Sequence, residues 1–404
     1  KLITVDMGGT SFDIGVIEAG VPTVTSEGKF AGYPVKIPII DIDTIGAGGG
    51  SIAWVDKGGV LNVGPRSAGA DPGPATYGLG GTEPTVTDAN VVLGRIDPAY
   101  FLGGELPLDP DLARRAILTQ VAGPMGLSLE EAAEGIIRIV NANMVKGIRA
   151  KTIERGYDVR EFTLIAFGGA GPLHAADLAR ELGIRRVIIP RYPAALSAFG
   201  LLVSETRHDS VRTIARRQSE LSPEALSAAF AELEETGRAQ LRAERVPPAR
   251  QRFEWSADLR YEGQSYELNT PVERARRMGK GAIARIVSRF GRLHEKVYAY
   301  SSADEEVEFI NVRVTAIGRV PAVRLNRGRS RDASSARAFK GKRRVYFERE
   351  GFVSTPVYER DRLAAGQRLR GPVLIEEPAS VTVVPPASAA SVDPYGNLVL
   401  TLKS

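Results

Sequence analysis

The sequence predicts an α/β protein with a parallel portion of sheet, followed by an α+β region and a β-rich C-terminal module. Three observations carry this prediction. Residues 162–190 run strand, glycine turn, helix, strand, the order of a βαβ unit with a right-handed crossover. The chain opens on two short β-branched runs around a Gly-Gly turn. Beyond residue 340 only strand-like runs alternating with turns remain.

The elements follow in order. Val5-Asp6-Met7-Gly8-Gly9-Thr10-Ser11-Phe12-Asp13-Ile14-Gly15 reads as a hairpin with acids on both shoulders. Of 43 glycines, 21 fall in residues 1–104, which marks tight loops, above all over 30–110. Ser128 and Glu131 form a capping box. Ala132, Ile136, Ile137, Val140, Met144, Ile148 and Ile153 then recur at helical spacing up to Gly156. Residues 162–167 are a strand, 172–182 a helix ended by Gly183, and 186–190 a strand. Residues 222–246 and 280–297 read as helices, and 253–261, 265–268 and 307–317 as strands. The Arg/Ser-rich run 325–338 is the best linker. Strands are expected at 345–347, 355–358, 372–376, 380–384 and 398–402.

Composition closes several function classes. The 404 residues contain no cysteine, which removes disulfides, thiol nucleophiles and iron–sulfur clusters. Three histidines are too scattered for an evident metal cage. No run of about eighteen apolar residues indicates a membrane span. No basic and apolar leader opens the chain, so a cytoplasmic setting is expected. The net charge of +5 owes much to residues 324–344, where nine basic residues meet Asp332 alone. No aromatic side chain interleaves them before Phe339, so a solvated loop is expected and no nucleic-acid partner.

Two glycine clusters are the candidate chemistry. At the hairpin, Gly8 and Gly9 let backbone N–H groups converge on an anion. Thr10 and Ser11 add hydroxyls, and Asp6 stands where a Mg²⁺ shell or a lytic water is held. An ordinary hairpin is equally consistent with the pattern alone. The second cluster, Gly168-Gly169-Ala170-Gly171-Pro172, leads into a helix whose start supplies N–H groups and positive dipole. No Gly-Lys-Ser/Thr follows it, so it is not a Walker loop, and the spacing is not that of a dinucleotide fingerprint. Close strand–helix packing is the competing account. His174 is expected to pack or cap.

Together the two clusters resemble the second half of the RNase H-like ATPase fold of actin, heat-shock chaperones and sugar kinases, with a second phosphate loop and an adenosine loop. Further words narrow this: Gly46-Ala47-Gly48-Gly49-Gly50-Ser51, Gly64-Pro65-Arg66-Ser67-Ala68-Gly69-Ala70-Asp71-Pro72-Gly73-Pro74, Pro84-Thr85-Val86-Thr87-Asp88-Ala89-Asn90, Arg260-Tyr261-Glu262-Gly263-Gln264 and Gly371-Pro372-Val373-Leu374-Ile375-Glu376-Glu377-Pro378. The whole chain resembles the hydantoinase A / 5-oxoprolinase / acetone carboxylase β-subunit family. The first Asp-x-Gly-Gly-Thr phosphate loop of that family is not in this chain, so the chain alone is expected to be inactive.

The resemblance implies an actin-like ATPase second lobe over 1–210 with a glycine-rich insertion over 30–110. It implies an α+β region over 211–325 and a β-rich module over 326–404. It implies ATP with Mg²⁺ or another divalent cation, and an ATP-dependent hydrolase that opens a cyclic amide or imide. Gly8, Gly9, Thr10, Ser11, Gly168, Gly169, Ala170 and Gly171 would contact nucleotide. Asp6 would serve the metal, and Asp6, Asp13 and Ser51 the reaction, with turn-capping the alternative for Asp13 and Ser51. The implied partners are the N-terminal lobe, a larger hydantoinase B-type subunit and a small cyclic amide, with no membrane. A ketone carboxylase β subunit and a nucleotide-binding scaffold without turnover are the alternatives.

Overall fold

The computed structural model describes residues 1–25, 28–30, 33–35, 39–323, 325, 327–328 and 335–402. It is a mixed α/β structure with two compact units, one of residues 1–199 and 325–404, the other of residues 200–324. Among the described residues no helix is long and apolar enough to cross a membrane.

In the first unit, β1 (Leu2–Met7) and β2 (Phe12–Glu18) form the expected hairpin. Ile3, Val5 and Met7 are buried and their neighbours only half-buried, the period-2 signature of a strand packed on one face. The strand β3 (Ile42–Ile45) adds antiparallel to β2. The short α1 (Val86–Val92) is capped by Thr85 and Asp88. The long α2 (Leu129–Thr152) begins with the expected capping box: Ser128 Oγ accepts from Glu131 N, and Glu131 accepts from Ser128 N at 2.9 Å. It leaves the helical path at Gly156, whose φ of +85 costs a glycine little. Gly147 marks its closest approach to the sheet, since a Cβ there would meet Ile14 Cδ1 at 2.8 Å.

The βαβ unit follows as β4 (Thr163–Phe167), α3 (Gly171–Leu182) and β5 (Arg186–Ile189). β4 is parallel to both β1 and β5. The tail holds β6 (Phe339–Phe347), β7 (Gly351–Glu359), β8 (Arg368–Arg370), β9 (Val373–Glu377), β10 (Ser380–Val384), β11 (Ser388–Val392) and β12 (Leu398–Leu402). Strands β6, β7, β9 and β10 make their own four-stranded sheet. Strands β8, β11 and β12 instead extend the large sheet, with β12 antiparallel to β5. The expected linker and basic run lie partly outside the described residues. Inside them, Lys340 and Arg343 are ion-paired to Glu376 on β9, so this end of the run is a strand face and not a loop.

The second unit is a four-stranded antiparallel sheet in the order Thr206–Arg217, Val307–Gly318, Gln251–Tyr261, Leu268–Val272. Helices Pro223–Ala243 and Ala282–Tyr298 complete it. Phe230 stacks flat on Trp255 with ring centroids 4.5 Å apart in its core. Two differences from the sequence reading have simple causes. No residue of the strand Thr206–Arg217 is fully buried, so it carries no run of buried apolar alternation to detect. The run expected at 265–268 is displaced to Leu268–Val272, where Thr270 and Val272 supply the buried face.

Candidate functional site

The site is built at the carboxyl edge of β1 and β4. Their parallel register sets Asp6 beside Phe167, so the hairpin turn and the Gly168 turn leave the same edge of one sheet. Ala170 N donates to Met7 O at 2.9 Å and joins the two turns directly. Gly168 has φ +81, and a Cβ there would lie 2.3 Å from Met7 O and 2.4 Å from Asp6 Oδ1, so only glycine fits.

The hairpin turn is held from behind. Gly8 O accepts from Gly49 N at 3.0 Å and Gly9 O from Gly50 N at 2.6 Å. With these carbonyls tied down, the N–H groups of Gly9 and Thr10 bond to none of the described residues, and Gly8, Gly9 and Thr10 are exposed. Outward N–H groups on a glycine turn are able to accept an anion. The Gly48–Gly50 segment beneath the turn leaves no room for side chains: a Cβ on Gly48 would sit 2.5 Å from Gly9 C, Gly9 O and Thr10 N. Thr87 fixes the segment through Gly49 O, accepting N–H at 2.8 Å and Oγ1–H at 2.9 Å.

Asp6 and Asp13 face each other across the hairpin. Asp6 Oδ2 accepts from Ser197 Oγ at 2.7 Å, and Asp13 Oδ1 from Thr44 Oγ1 at 2.5 Å. Each carboxylate is thus oriented by one hydroxyl and keeps further acceptor capacity. Among the described residues no group of three or more His, Asp or Glu stands in metal-holding geometry. Ser51 lies under the loop, 1% exposed, with Oγ accepting from Gly48 N at 2.8 Å. Asp88 is fully buried and accepts from Ala75, Thr76 and Thr85 N–H groups, which makes it a loop anchor. His174 is buried with Nδ1 2.8 Å from Asn141 Oδ1, and burial lowers its pKa to about 3, so it is neutral.

On the far side of the Gly168 turn, a Cβ on Gly169 would lie 3.3 Å from Ala379 O, so the β9–β10 turn packs on it. A small pocket there is lined by Gly169, Leu173, Glu377 and Ser380. Burial pushes the Glu377 carboxyl up to about 7, and Arg360 pulls it back only in part. Sequence reasoning missed Ser197, Thr44, Gly48 and Glu377. Only Gly48 and Glu377 lay within words already singled out; Thr44 and Ser197 had no local signal.

The model of the hydantoinase/oxoprolinase family matches residues 1–210, and that of its C-terminal domain matches residues 214–402. The caprolactamase α subunit of Pseudomonas jessenii is 39% identical over 405 residues, 99% of this chain and 58% of that one. The 5-oxoprolinase 1 of Arabidopsis thaliana is 31% identical over 427 residues, covering 100% of this chain and 32% of its own. Nucleotide-free acetone carboxylase has a TM-score of 0.90 at 26% identity, over 100% of this chain and 58% of its own. The chain therefore spans little more than half the length of the caprolactamase subunit. Because one family model takes in the whole hairpin-and-turn site and the other nearly all that follows, the chain belongs to the hydantoinase/oxoprolinase family.

Proposed function

We propose that this chain carries the second phosphate loop and the adenosine loop of an actin-like ATPase fold, and that the whole protein is an ATP-dependent hydrolase opening a cyclic amide. The observation that carries the reading is the hairpin turn with its carbonyls bonded backwards and its Gly9 and Thr10 N–H groups left outward, between Asp6 and Asp13 and beside the Gly168 turn. Those N–H groups and the Thr10 and Ser11 hydroxyls would hold phosphate oxygens. Gly168, Gly169, Ala170 and Gly171 would line the nucleoside side. In this reading residues 1–210 are the ATPase lobe and 211–325 its α+β completion. Residues 326–404 are a β-rich addition whose last strands continue the sheet.

The γ-phosphoryl group moves from ATP to the amide oxygen: its bond to the β-phosphate oxygen breaks as ADP leaves, and a P–O bond to the substrate forms. Water then attacks the activated carbon, the ring nitrogen takes a proton as the C–N bond opens to leave an acyl phosphate, and a second water releases phosphate from the carboxylate. The protein's part is positioning and charge neutralisation. Asp6 would orient the attacking oxygen or a metal-bound water, and Asp13 would assist from the opposite strand. Ser51 acts through Gly48, whose N–H it accepts. Mg²⁺ fits the donor set, since it is commonly held by one or two carboxylates with phosphate oxygens and water. When bound it would neutralise charge on the transferring phosphate. The subunit designations of the caprolactamase and acetone carboxylase relatives support at least one further subunit, for which a hydantoinase B-type chain is the proposal.

The TM-score of 0.90 to acetone carboxylase favours one second reading, phosphorylation of an enolate followed by carboxylation. The test is ADP release by the complete protein with its partner subunit, offered 5-oxoproline, hydantoin, a lactam, or acetone with bicarbonate. A cyclic amide should stimulate release, and Asp6→Ala should abolish turnover while calorimetry still detects ATP binding, because the contact matters most as charge develops. Stimulation by acetone only when bicarbonate is present would select the second reading. Full activity in Asp6→Ala would refute both.

A further inference from the structure

The second unit contains a groove that the ATPase reading does not use. About 410 Å³ of space is lined by Arg238, Gln251, Arg252, Phe253, Arg274 and Arg319, a volume that suits a small ligand. The four arginines come from four places in the sequence: one helix, the start of Gln251–Tyr261, and the segments after Leu268–Val272 and Val307–Gly318.

Two of the guanidinium groups are fixed in advance. Glu234, 9% exposed, accepts Arg274 through Nε and Nη2, both at 2.7 Å, and Arg238 Nη2 at 2.6 Å. Trp255 Nε1 locks the same carboxylate at 3.0 Å. Both guanidinium groups lie over the Phe253 ring, 4.6 and 5.5 Å from its centroid. Their Nη1 groups bond to none of the described residues. Arg252 pairs with Glu254 at 2.6 Å and Arg238 also reaches Glu235 at 3.5 Å, while Arg319 has no ion pair among the described residues. Four cations thus meet three carboxylates, and several N–H donors remain unused.

We propose that this groove binds a small polyanion whose phosphate or carboxylate groups take the unused guanidinium donors. Rigid, pre-paired arginines are suited to such anions because the planar fork is already oriented.

The test is calorimetric titration of the full 404-residue chain with citrate and with pyrophosphate at physiological salt. Saturable binding of at least one is expected, and the tighter of the two identifies the anion source. Arg252→Ala with Arg319→Ala should weaken it at least about tenfold, since each charge-assisted bond is worth a factor of that order. Thermal unfolding of that variant should match wild type, as both side chains are exposed. The control Arg216→Ala, on an exposed strand outside the groove, should bind as wild type. The proposal is overturned if neither anion saturates below about 1 mM, or if the double variant binds as wild type. Asp6→Ala should leave this binding unchanged, so the result stands apart from the fate of the ATPase reading.

Discussion

Replacing Gly48 by alanine should damage both the fold and the hairpin turn above it. The added Cβ would lie 2.5 Å from Gly9 C, Gly9 O and Thr10 N, all backbone atoms that cannot rotate away. Ordinary carbon contacts begin near 3.5 Å, so the turn must move by roughly 1 Å. Overpacking of this kind costs about 1–3 kcal/mol. A displacement of that size at a reacting group costs about 10²-fold in rate. Gly9 offers the opposite case. A Cβ there meets nothing within 4 Å and needs no unusual φ. Gly9→Ala should therefore keep or slightly raise stability, by about 0.4–1 kcal/mol through the unfolded chain. It should still weaken ATP binding, because the methyl group enters the space a phosphate would take. Urea denaturation of both variants and calorimetric titration of the complete protein with ATP separate the two effects. Undiminished ATP affinity in Gly9→Ala would show that phosphate does not sit on this turn. Wild-type stability in Gly48→Ala would show that the bed beneath it yields.

Two further outcomes rest on buried charge. Glu377 titrates near 7 when folded because burial penalises its charged form, against an ordinary 4.5. Between those values the folded chain keeps a proton that the unfolded chain has released, so the group's contribution to stability falls as pH rises through 7. Glu377→Gln should remove that loss, gaining about 3 kcal/mol over wild type above pH 7 and almost nothing near pH 4.5; parallel stability profiles by urea denaturation at pH 5 and 8 would refute it. Lys151 is 1% exposed, with Nζ 2.6 Å from Asp41 and 3.2 Å from Asp43. Lys151→Met leaves Asp41 buried with Arg155 alone and should cost about 3–5 kcal/mol, and an unfolding midpoint equal to wild type would contradict that.

Elements whose causes are local were legible from the chain alone. The β1–β2 hairpin follows from alternation around two glycines, and α2 from Ser128 and Glu131 at one end and Gly156 at the other. The order strand, glycine turn, helix, strand implied parallel pairing, and with it a shared edge for the two turns. What depends on contacts distant along the chain emerged only from the packing. Nothing near Gly48 announces that it lies under Gly9, and nothing near Ser197 announces a bond to Asp6 almost two hundred residues away. The placement of Ser51 beneath its loop, with its hydroxyl on Gly48 N, was equally invisible in a glycine-rich run that fits many turns. The tail shows the same division. Its strands were legible from alternation, but that β12 pairs with β5 while β10 turns to a separate sheet was not. Period-2 patterning specifies that a strand buries one face and leaves its edge partner to the packing of the whole core.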